Sequence, residues 1–539
     1  MTPIFPTSVN SSNSAARRQS WLVLAALWLL LLVLAGLRPL AVPDEGRYGE
    51  IGRWMLVSGD WLTPRLNGLP FFHKPPLLHW LDAVSLIVFG VSEWSLRLVP
   101  ALHAGLMMTT LYLAARSVSS EVIARRASVM LGTSLTFLVA GQYINHDMLV
   151  ATWISLAIWA FAFAFTAGDR PNATLARLGF LTCALGMLSK GLIGVALPGL
   201  VILVWLIWTR QFKKMLYLPW ISGLALFAVV ALPWFVLAQR TYPDFFNYMF
   251  VGQQFNRYTA ATYNNPQPYW FYLLALALLL FPWVFFALGQ VRRVTSTTRA
   301  TALDIPQVWW QLCWAWVLSI LVFFSIPNSK LVGYILPVVP PLALLAALGW
   351  QRAVTHKTWA RRLFVGLIAV NVGIALAIVL SVGQVTRNSR TQDVAVVLAC
   401  AATPKDTIYV ADGYPYDLPF YLQSQKPLIV LTDWPQARHT AGDDWQRELF
   451  EGADFDAGAG QALQSPAVLG PAGMLPGSWY LTRHDDPLAR GLPGWALFFK
   501  GAGWQLYRSG AALADASATK RPEAAEHKSL PGCKDQGHK

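Results

Sequence analysis

The chain has 539 residues, of which 55% are hydrophobic and only 13% are charged. Soluble globular domains carry about 25% charged residues, so this composition excludes an ordinary soluble enzyme and indicates that most of the surface faces lipid. The formal net charge of +14 is explained first by the basic loops of a membrane protein, and we expect no nucleic-acid partner.

Apolar runs that approach the ~20 residues of a membrane span predict an α-helical polytopic membrane protein. The segment 77–91 is shorter and carries His79 and Asp82, so we predict a helix in the membrane interface, with a full span as the alternative. The fold class is expected to contain about 11 to 13 transmembrane helices. Eleven spans are predicted, at residues 21–37, 97–115, 127–144, 148–167, 173–189, 191–208, 217–238, 269–291, 308–325, 331–350 and 363–383.

Basic residues occur in every second predicted loop, beginning with Arg17 and Arg18 before the first span. Because short basic loops are cytoplasmic, this alternation predicts a cytoplasmic amino terminus and, for an odd number of spans, a carboxyl end on the outer face. We therefore expect a cytoplasmic tail over residues 1–20 and a transmembrane domain over 21–383, with a first outer loop over 38–96.

The composition changes after Val382. Residues 384–508 combine short β-type runs with Gly, Pro and Asp, which predicts a small α/β domain outside the cytoplasm. Residues 509–539 are polar, without an apolar face, and are predicted to be a disordered tail. Cys400 and Cys533 lie in this carboxyl-terminal part and are able to pair.

Several ionisable residues fall on the predicted outer face, where the rule for basic loops does not explain them. Asp44, Glu45 and Arg47 directly follow the first span, and Tyr48 lies on one face of the amphipathic interfacial helix predicted there. A simpler interpretation makes Asp44 the N-cap of that helix and Arg47 a snorkelling side chain. Further outer-loop residues favour a functional interpretation; they are Lys74, Asp147, Lys190, Arg257, Lys330 and Tyr334.

Carboxylates and fixed cations at one membrane surface suit a lipid that carries a phosphate. Cations hold a leaving phosphate, where negative charge develops as the bond breaks. Asp44 would accept a proton from an attacking hydroxyl or offset positive charge on a sugar ring. From the residues alone, this pattern predicts only that the protein handles an anionic lipid at the outer face.

A metal site is an alternative use of the same region. His73, His79 and His146 fall near the acidic residues, but no pair has the i, i+4 spacing of a helical metal site. We therefore expect that no cofactor is required, and a divalent metal is not supported by the ligand spacing.

The order of several motifs carries a family resemblance. In chain order these are PDEGRY at 43–48, KPP at 74–76, the Asp147 loop, SKG at 189–191, the stretch from Arg257 to Tyr272, NSKLVGYILP at 328–337 and LPFYL at 418–422. With this order the chain resembles the bacterial aminoarabinose lipid A transferases and, more distantly, the protein O-mannosyltransferases. Both are integral-membrane glycosyltransferases of the GT-C class that use polyprenyl-phosphate sugar donors.

The resemblance implies a fold, a location and a set of roles. The fold would be of the GT-C type with a periplasmic C-terminal α/β domain, in the bacterial inner membrane. Asp44 would be the catalytic carboxylate, with Asp147 the acidic residue of the second outer loop. Four residues would surround the lipid phosphate: Arg47, Lys74, Arg257 and Tyr334. Lys330 and Tyr48 are predicted to bind the donor with them, and Glu45 is a further catalytic candidate. His73 departs from the family, which tends to carry an acidic residue before the lysine of the KP motif.

The implied reaction is a single inverting displacement in which a sugar leaves undecaprenyl or another polyprenyl phosphate. The acceptor would be lipid A or another glycan of the cell envelope, with protein hydroxyls, as in the O-mannosyltransferases, as an alternative. A flippase for lipid-linked sugars is the alternative from another class. It predicts charged groups along a path inside the spans, and the spans carry few.

Overall fold

The computed structural model describes residues 12–256, 265–291, 305–483 and 492–510. The chain divides into two compact units. The first, the helical unit, comprises Met1–Arg38 and His73–Leu380, and the second, the mixed unit, comprises Pro39–Phe72 and Ser381–Lys539. The segment that follows the first helix therefore belongs with the C-terminal residues.

The helical unit is built from apolar helices. Its described α-helices are Ser12–Leu34, Leu77–Phe89, Glu93–Val118, Glu121–Gly132, Leu135–Ala140, His146–Thr166, Ala173–Lys190, Ile193–Trp208, Trp220–Thr241, Phe271–Leu279, Trp283–Leu288, Gln307–Ser325, Val339–Ala353 and Ala360–Val385. Short segments of other helical types are the 3₁₀ helices Phe212–Tyr217 and Val332–Val338 and the π-helix Asn247–Asn256.

Within the described ranges, seven helices are long and apolar enough to cross a membrane, and the chain is a multi-pass membrane protein. Of the other predicted spans, 191–208 forms a helix of 16 residues, Ile193–Trp208, and two are interrupted. The predicted span 127–144 is divided at Thr133 and Ser134, and the predicted span 269–291 is divided at Pro282, which lacks the N–H that a helix interior needs. The seven described helices that are long and apolar enough to cross a membrane are Ser14–Leu34, Glu93–Val118, His146–Thr166, Trp220–Thr241, Gln307–Ser325, Val332–Ala353 and Ala360–Val385.

Two successive helices bring their polar ends together. His146–Thr166 is followed after a short loop by Ala173–Lys190, so the start of the first helix lies beside the end of the second. The helices approach closely at Gly179, where a Cβ would lie 2.7 Å from the Phe161 ring. This packing brings Lys190 within reach of Asp147.

The mixed unit contains a mixed β-sheet. Its described strands are β1 (Arg65–Leu66), β2 (Leu69–Pro70), β3 (Thr407–Val410), β4 (Ile429–Leu431), β5 (Leu463–Gln464), β6 (Ser478–Thr482), β7 (Trp495–Lys500) and β8 (Gln505–Ser509). Six of these described strands form one sheet in the order β5-β4-β3-β6-β8-β7. Strand β3 is parallel to β4 and β6, β4 is parallel to β5, and β8 is antiparallel to β6 and β7.

Helices surround this sheet and complete a small core. Val410, Val430 and Leu481 come from neighbouring strands and are fully buried with Trp479 and Leu506. The described α-helices are Asp44–Ser58, Gln392–Ala401, Leu418–Leu422, Trp434–Thr440, Trp445–Phe455 and Leu469–Gly473. The small C-terminal α/β domain predicted from the sequence is therefore confirmed.

The Asp44–Ser58 helix packs on C-terminal residues of the mixed unit. Gly46 lies against the backbone of Tyr416 and Asp417, where a Cβ would be 2.9 Å away. Arg53 forms a buried ion pair with Glu50 at 2.6 Å and donates to the Ser424 carbonyl at 2.7 Å. The sequence predicted an amphipathic helix at the membrane interface, but the apolar residues of this helix are instead buried inside a protein core.

The β1–β2 hairpin joins the same packing. Asn67 donates to the Leu428 carbonyl at 2.9 Å and accepts from the Leu428 N–H at 2.8 Å. Gly452 lies against Pro70, where a Cβ would be 2.7 Å from the carbonyl oxygen. The first loop is thus held to residues nearly 400 positions later in the chain.

Candidate active site

An ion pair between Asp147 and Lys190 forms the centre of a polar cluster in the helical unit. Each of the two side chains is 12% exposed. The Tyr334 ring covers the Lys190 ammonium, with 4.4 Å between Nζ and the ring centroid. A carboxylate and an aromatic face therefore fix one cation in a largely buried place.

The local sequence explains why these side chains stand where they do. The Asn145 side chain accepts the Asp147 N–H at 2.9 Å and caps the His146–Thr166 helix. Asp147 then lies in the first turn of one helix and Lys190 in the last turn of another, and each charge complements its helix dipole. Gly333 leaves the space for the Asp147 carboxylate, because a Cβ there would overlap it.

Two buried histidines lie beside this pair. His146 Nδ1 is 2.8 Å from the Ser189 carbonyl oxygen, and the His146 and His79 ring centroids are 5.3 Å apart. Lys74 and Lys190 are both close enough to act electrostatically on His146. The neighbourhood is therefore rich in positive charge, with Asp147 as its carboxylate.

A recess of about 10 Å³, which has room for about one water molecule, lies beside the cluster. Its polar end is formed by Asp147, Lys190 and Tyr334. The remaining lining is apolar and comprises Val150, Ile154, Ile193, Leu197, Phe324, Gly333 and Pro337. A fixed cation and apolar side chains therefore meet at this place in the helical unit.

A second cluster lies in the mixed unit, at the start of the Asp44–Ser58 helix. Arg47 donates from Nη1 to Asp44 Oδ1 at 3.1 Å and from Nη2 to Glu448 Oε1 at 3.0 Å. The Tyr416 hydroxyl donates to Glu448 Oε2 at 2.6 Å and lies 3.3 Å from Arg47 Nη2. The guanidinium also stacks near Tyr48, 5.7 Å from its ring centroid.

Electrostatics in this cluster keep the hydroxyls neutral and the guanidinium charged. Burial and the Glu448 carboxylate raise the pKa of Tyr416 well above its ordinary value, and desolvation and Asp44 do the same for the pKa of Tyr48. Burial alone would lower the pKa of Arg47, but Glu448 and its other neighbours raise it well above the ordinary value.

Three further predicted site residues have other surroundings. Glu45 is fully buried and accepts the Ala41 N–H at 2.7 Å. The buried Lys330 ammonium donates to the Gln267 carbonyl at 2.9 Å and to the Pro327 carbonyl at 2.5 Å. Arg257 lies outside the described residues.

The structure thus places the predicted residues in two groups. Asp147 and Tyr334 meet around Lys190, with Lys74 near His146, whereas Asp44, Arg47 and Tyr48 form the group in the mixed unit. The sequence did not indicate Tyr416 or Glu448 as site residues. No local pattern marks them, since each contacts Arg47 only through the fold.

The His, Cys and acidic residues also bear on metal binding and disulfide formation. Within the described ranges, no group of three or more His, Cys, Asp or Glu side chains is arranged to hold a metal ion. Cys183 and Cys313 are free and buried. Cys400 is disulfide-bonded, and Cys533 lies outside the described residues.

Comparison with known families and relatives agrees with the resemblance seen in the motifs. Residues 19–249 match the family described as dolichyl-phosphate-mannose-protein mannosyltransferase. The chain is 35% identical over 334 residues to undecaprenyl phosphate-alpha-4-amino-4-deoxy-L-arabinose arabinosyl transferase 1 of Sodalis glossinidius, which covers 61% of this chain and 58% of that protein. The corresponding transferase of Pseudomonas aeruginosa is 33% identical over 335 residues, 61% of this chain and 59% of its own. The matches therefore span less than two thirds of these relatives.

The fold has a solved counterpart. The crystal structure of ArnT from Cupriavidus metallidurans bound to undecaprenyl phosphate superimposes with a TM-score of 0.76 at 24% identity, over 91% of this chain and 98% of that one. The apo form of the same protein gives a TM-score of 0.73. The GT-C fold and the resemblance to the aminoarabinose transferases, both predicted from the motifs, are confirmed.

Proposed function

We propose that this protein is a glycosyltransferase that moves a sugar from a polyprenyl phosphate, in bacteria undecaprenyl phosphate, to lipid A or another envelope glycan. The observation that carries the proposal is the polar cluster of the helical unit, in which Asp147 and Tyr334 hold the Lys190 ammonium beside apolar walls. Relatives that match 61% of the chain are named as undecaprenyl phosphate-aminoarabinose transferases.

The donor would bind by its two chemically different parts. Lys190 and Lys74 supply positive charge for the phosphate, and the Tyr334 hydroxyl is a further donor. The apolar walls that include Ile154, Leu197 and Phe324 would cover the first isoprene units. Because Lys190 is already held by Asp147, little side-chain freedom would be lost when the phosphate arrives.

The reaction would be an inverting displacement at the anomeric carbon. An oxygen of the acceptor forms the new bond to this carbon, and the bond to the phosphate oxygen breaks with its electron pair on the leaving phosphate. The cations stabilise that developing charge. We propose that Asp44, held by Arg47, is the catalytic carboxylate that the order of the motifs implies. It would accept the proton of an acceptor hydroxyl, or stabilise the oxocarbenium-like centre where the acceptor is an ionised phosphate.

No metal has a part in this mechanism. Lysine and tyrosine side chains alone would stabilise the negative charge of the leaving phosphate. It predicts full transfer activity after exhaustive chelation, measured with a purified donor, and loss of activity on chelation would contradict it.

The location would be the bacterial inner membrane with the C-terminal α/β domain in the periplasm. The alternation of basic loops supports this orientation, because it places the amino terminus in the cytoplasm. Periplasmic reporter activity of a fusion after residue 510 is expected, and cytoplasmic activity would contradict the orientation.

The central experiment is mass spectrometry of lipid A and surface glycans from cells with and without this protein. A mass increment that requires the protein would identify the sugar and the acceptor together. Asp44→Asn is expected to abolish the increment while the protein still accumulates in the membrane. Asp454→Asn is the matched control, because its carboxylate forms an exposed ion pair with Arg438. An unchanged increment in the Asp44→Asn cells would reject the role of Asp44.

A further inference from the structure

We propose that Glu448 and Tyr416 are positioning residues that hold the Arg47 guanidinium against Asp44. The C-terminal part of the mixed unit would then influence the chemistry indirectly, through Arg47. The inference rests on the proposed function for its kinetic consequence, but its structural part is testable without any substrate.

The contacts on Arg47 come from two sides. Nη1 faces Asp44 at 3.1 Å, whereas Nη2 faces Glu448 at 3.0 Å and the Tyr416 hydroxyl at 3.3 Å. The Tyr416 ring also lies under the guanidinium, 4.8 Å from Cζ. A planar guanidinium held at both terminal nitrogens and on one face has one orientation.

The three charged side chains differ in solvent exposure, and the difference agrees with a positioning role for Glu448. The Glu448 side chain is 9% exposed and the Arg47 side chain 14%, but the Asp44 side chain is 37% exposed. The accessible carboxylate is therefore Asp44, and the buried groups lie behind it. Glu448 is not placed to touch a substrate, so its effect would pass through Arg47.

Charge explains why Glu448 determines where Arg47 lies. A largely buried carboxylate is costly unless a cation pairs with it, so Arg47 is drawn to Glu448 as well as to Asp44. Among the charged neighbours that raise the pKa of Arg47, Glu448 has the largest effect and Asp44 a smaller one. Without Glu448, Arg47 would lose its stronger anchor.

The local fold holds Glu448 in place. It lies in the first turn of the Trp445–Phe455 helix, where Asp444 accepts the Gln446 N–H at 3.0 Å and the Arg447 N–H at 3.2 Å. The far end of the helix is fixed by Phe455, whose ring centroid lies 5.1 Å from that of Phe72. Glu448 is thus presented from a helix capped at one end and packed at the other.

The kinetic test uses Glu448→Gln and Tyr416→Phe in the full chain with a polyprenyl-phosphate sugar donor. A displacement of about 1 Å at a reacting group costs up to ~100-fold in rate, so we expect kcat to fall roughly 10- to 100-fold in Glu448→Gln. The donor KM should change less than about threefold, because the donor phosphate is held by other residues. Glu448→Asp keeps the charge and should recover part of kcat.

The matched control is Glu451→Gln in the same helix, which removes the carboxylate that pairs with Arg447 at 2.6 Å. Its kcat should stay within about twofold of the unsubstituted chain, since it leaves the Arg47 cluster intact. A kcat loss in Glu448→Gln no greater than in this control, or a loss not recovered by Glu448→Asp, would overturn the inference.

A substrate-free measurement separates this inference from the proposed function. Hydrogen exchange of the peptide covering Asp44–Ser58 should become faster in Glu448→Gln than in Glu451→Gln, because the first helical turn loses its anchor. Equal exchange in the two variants would overturn the positioning role. An inactive unsubstituted chain would instead count against the proposed function and leave this exchange comparison valid.

Discussion

Asp147 and Lys190 lie 43 residues apart in the chain and meet as an ion pair, because successive antiparallel helices place the start of one beside the end of the other. Each side chain of the pair is only 12% exposed, and the Tyr334 ring lies over the Lys190 ammonium. Under the proposed function, a cation fixed in this way is oriented before the donor phosphate arrives.

The first prediction concerns the coupling within that pair. Asp147→Asn or Lys190→Met leaves one uncompensated charge in a buried place, which costs about 3–5 kcal/mol. The double variant removes both charges and should be less destabilised than the sum of the single variants by roughly 1–3 kcal/mol. Thermal unfolding of the four proteins in detergent measures the difference.

The Arg447–Glu451 pair provides a matched cycle on a more exposed surface, with side-chain exposures of 34% and 14%. Its coupling should stay below about 1 kcal/mol, as for other surface pairs. Additive losses at Asp147 and Lys190 would show that the pair is not coupled and would contradict the preorganised site.

The second prediction concerns the space at Gly333. A Cβ at this position would overlap the Asp147 carboxylate, so Gly333→Ala should push Asp147 away from Lys190. We expect the donor KM to rise at least about tenfold.

Gly373→Ala is the control, because nothing lies within 4 Å of a Cβ there. It should be neutral or stabilised by up to ~1 kcal/mol, as for a glycine inside a helix. An unchanged KM in Gly333→Ala would argue against a donor site beside Asp147.

The third prediction separates the two lysines that the sequence assigned to the lipid phosphate. Lys330 donates to the Gln267 and Pro327 carbonyls, so Lys330→Met leaves buried acceptors unsatisfied and should lower the melting temperature. The donor KM should change less than about threefold. Lys74→Met should instead raise the donor KM with a smaller effect on melting. Equal increases of the donor KM in both variants would indicate that Lys330 also binds the lipid phosphate.

Much of the fold was predictable because its signals are local. Apolar runs of span length and the change of composition after Val382 predicted a helical membrane part followed by an α/β domain, and both are observed. The breaks at Thr133 and Pro282 were missed, since the surrounding residues are apolar enough to read as one span. A hydropathy average over the run does not detect such an interruption, because the interruption lies in the backbone hydrogen bonding and not in the apolar composition.

The partners of the site residues were less predictable, because they depend on contacts distant in sequence. Asp147 stood out as an acidic residue in the short outer loop between two apolar runs, and this local signal does not depend on its partner. Arg47 contacts Tyr416, 369 residues away, and nothing near either residue indicates the other. The NSK motif indicated a cation in a loop, but not that the Lys330 ammonium faces backbone carbonyls.

The last prediction is a pH dependence of the mixed unit. Burial raises the pKa of Asp417 from 3.8 to about 6, against the opposing effect of the Thr391 N–H and hydroxyl, which donate to it at 3.0 and 2.9 Å. The folded unit therefore binds this proton more tightly than the unfolded chain. The contribution of Asp417 to the free energy of unfolding should be fully present below about pH 4 and should be lost as the pH rises through about 6, by roughly 3 kcal/mol in total.

Asp417→Asn removes the titration and keeps a carbonyl acceptor and an amide donor for Thr391. Hydrogen exchange of β6, corrected for intrinsic rates, should show about tenfold less protection at pH 7.5 than at pH 5 in the unsubstituted chain. In Asp417→Asn the ratio should stay within about threefold, because the carboxyl that charges on going to pH 7.5 is gone. A pH dependence that persists unchanged in Asp417→Asn would assign it to another group and contradict the raised pKa of Asp417.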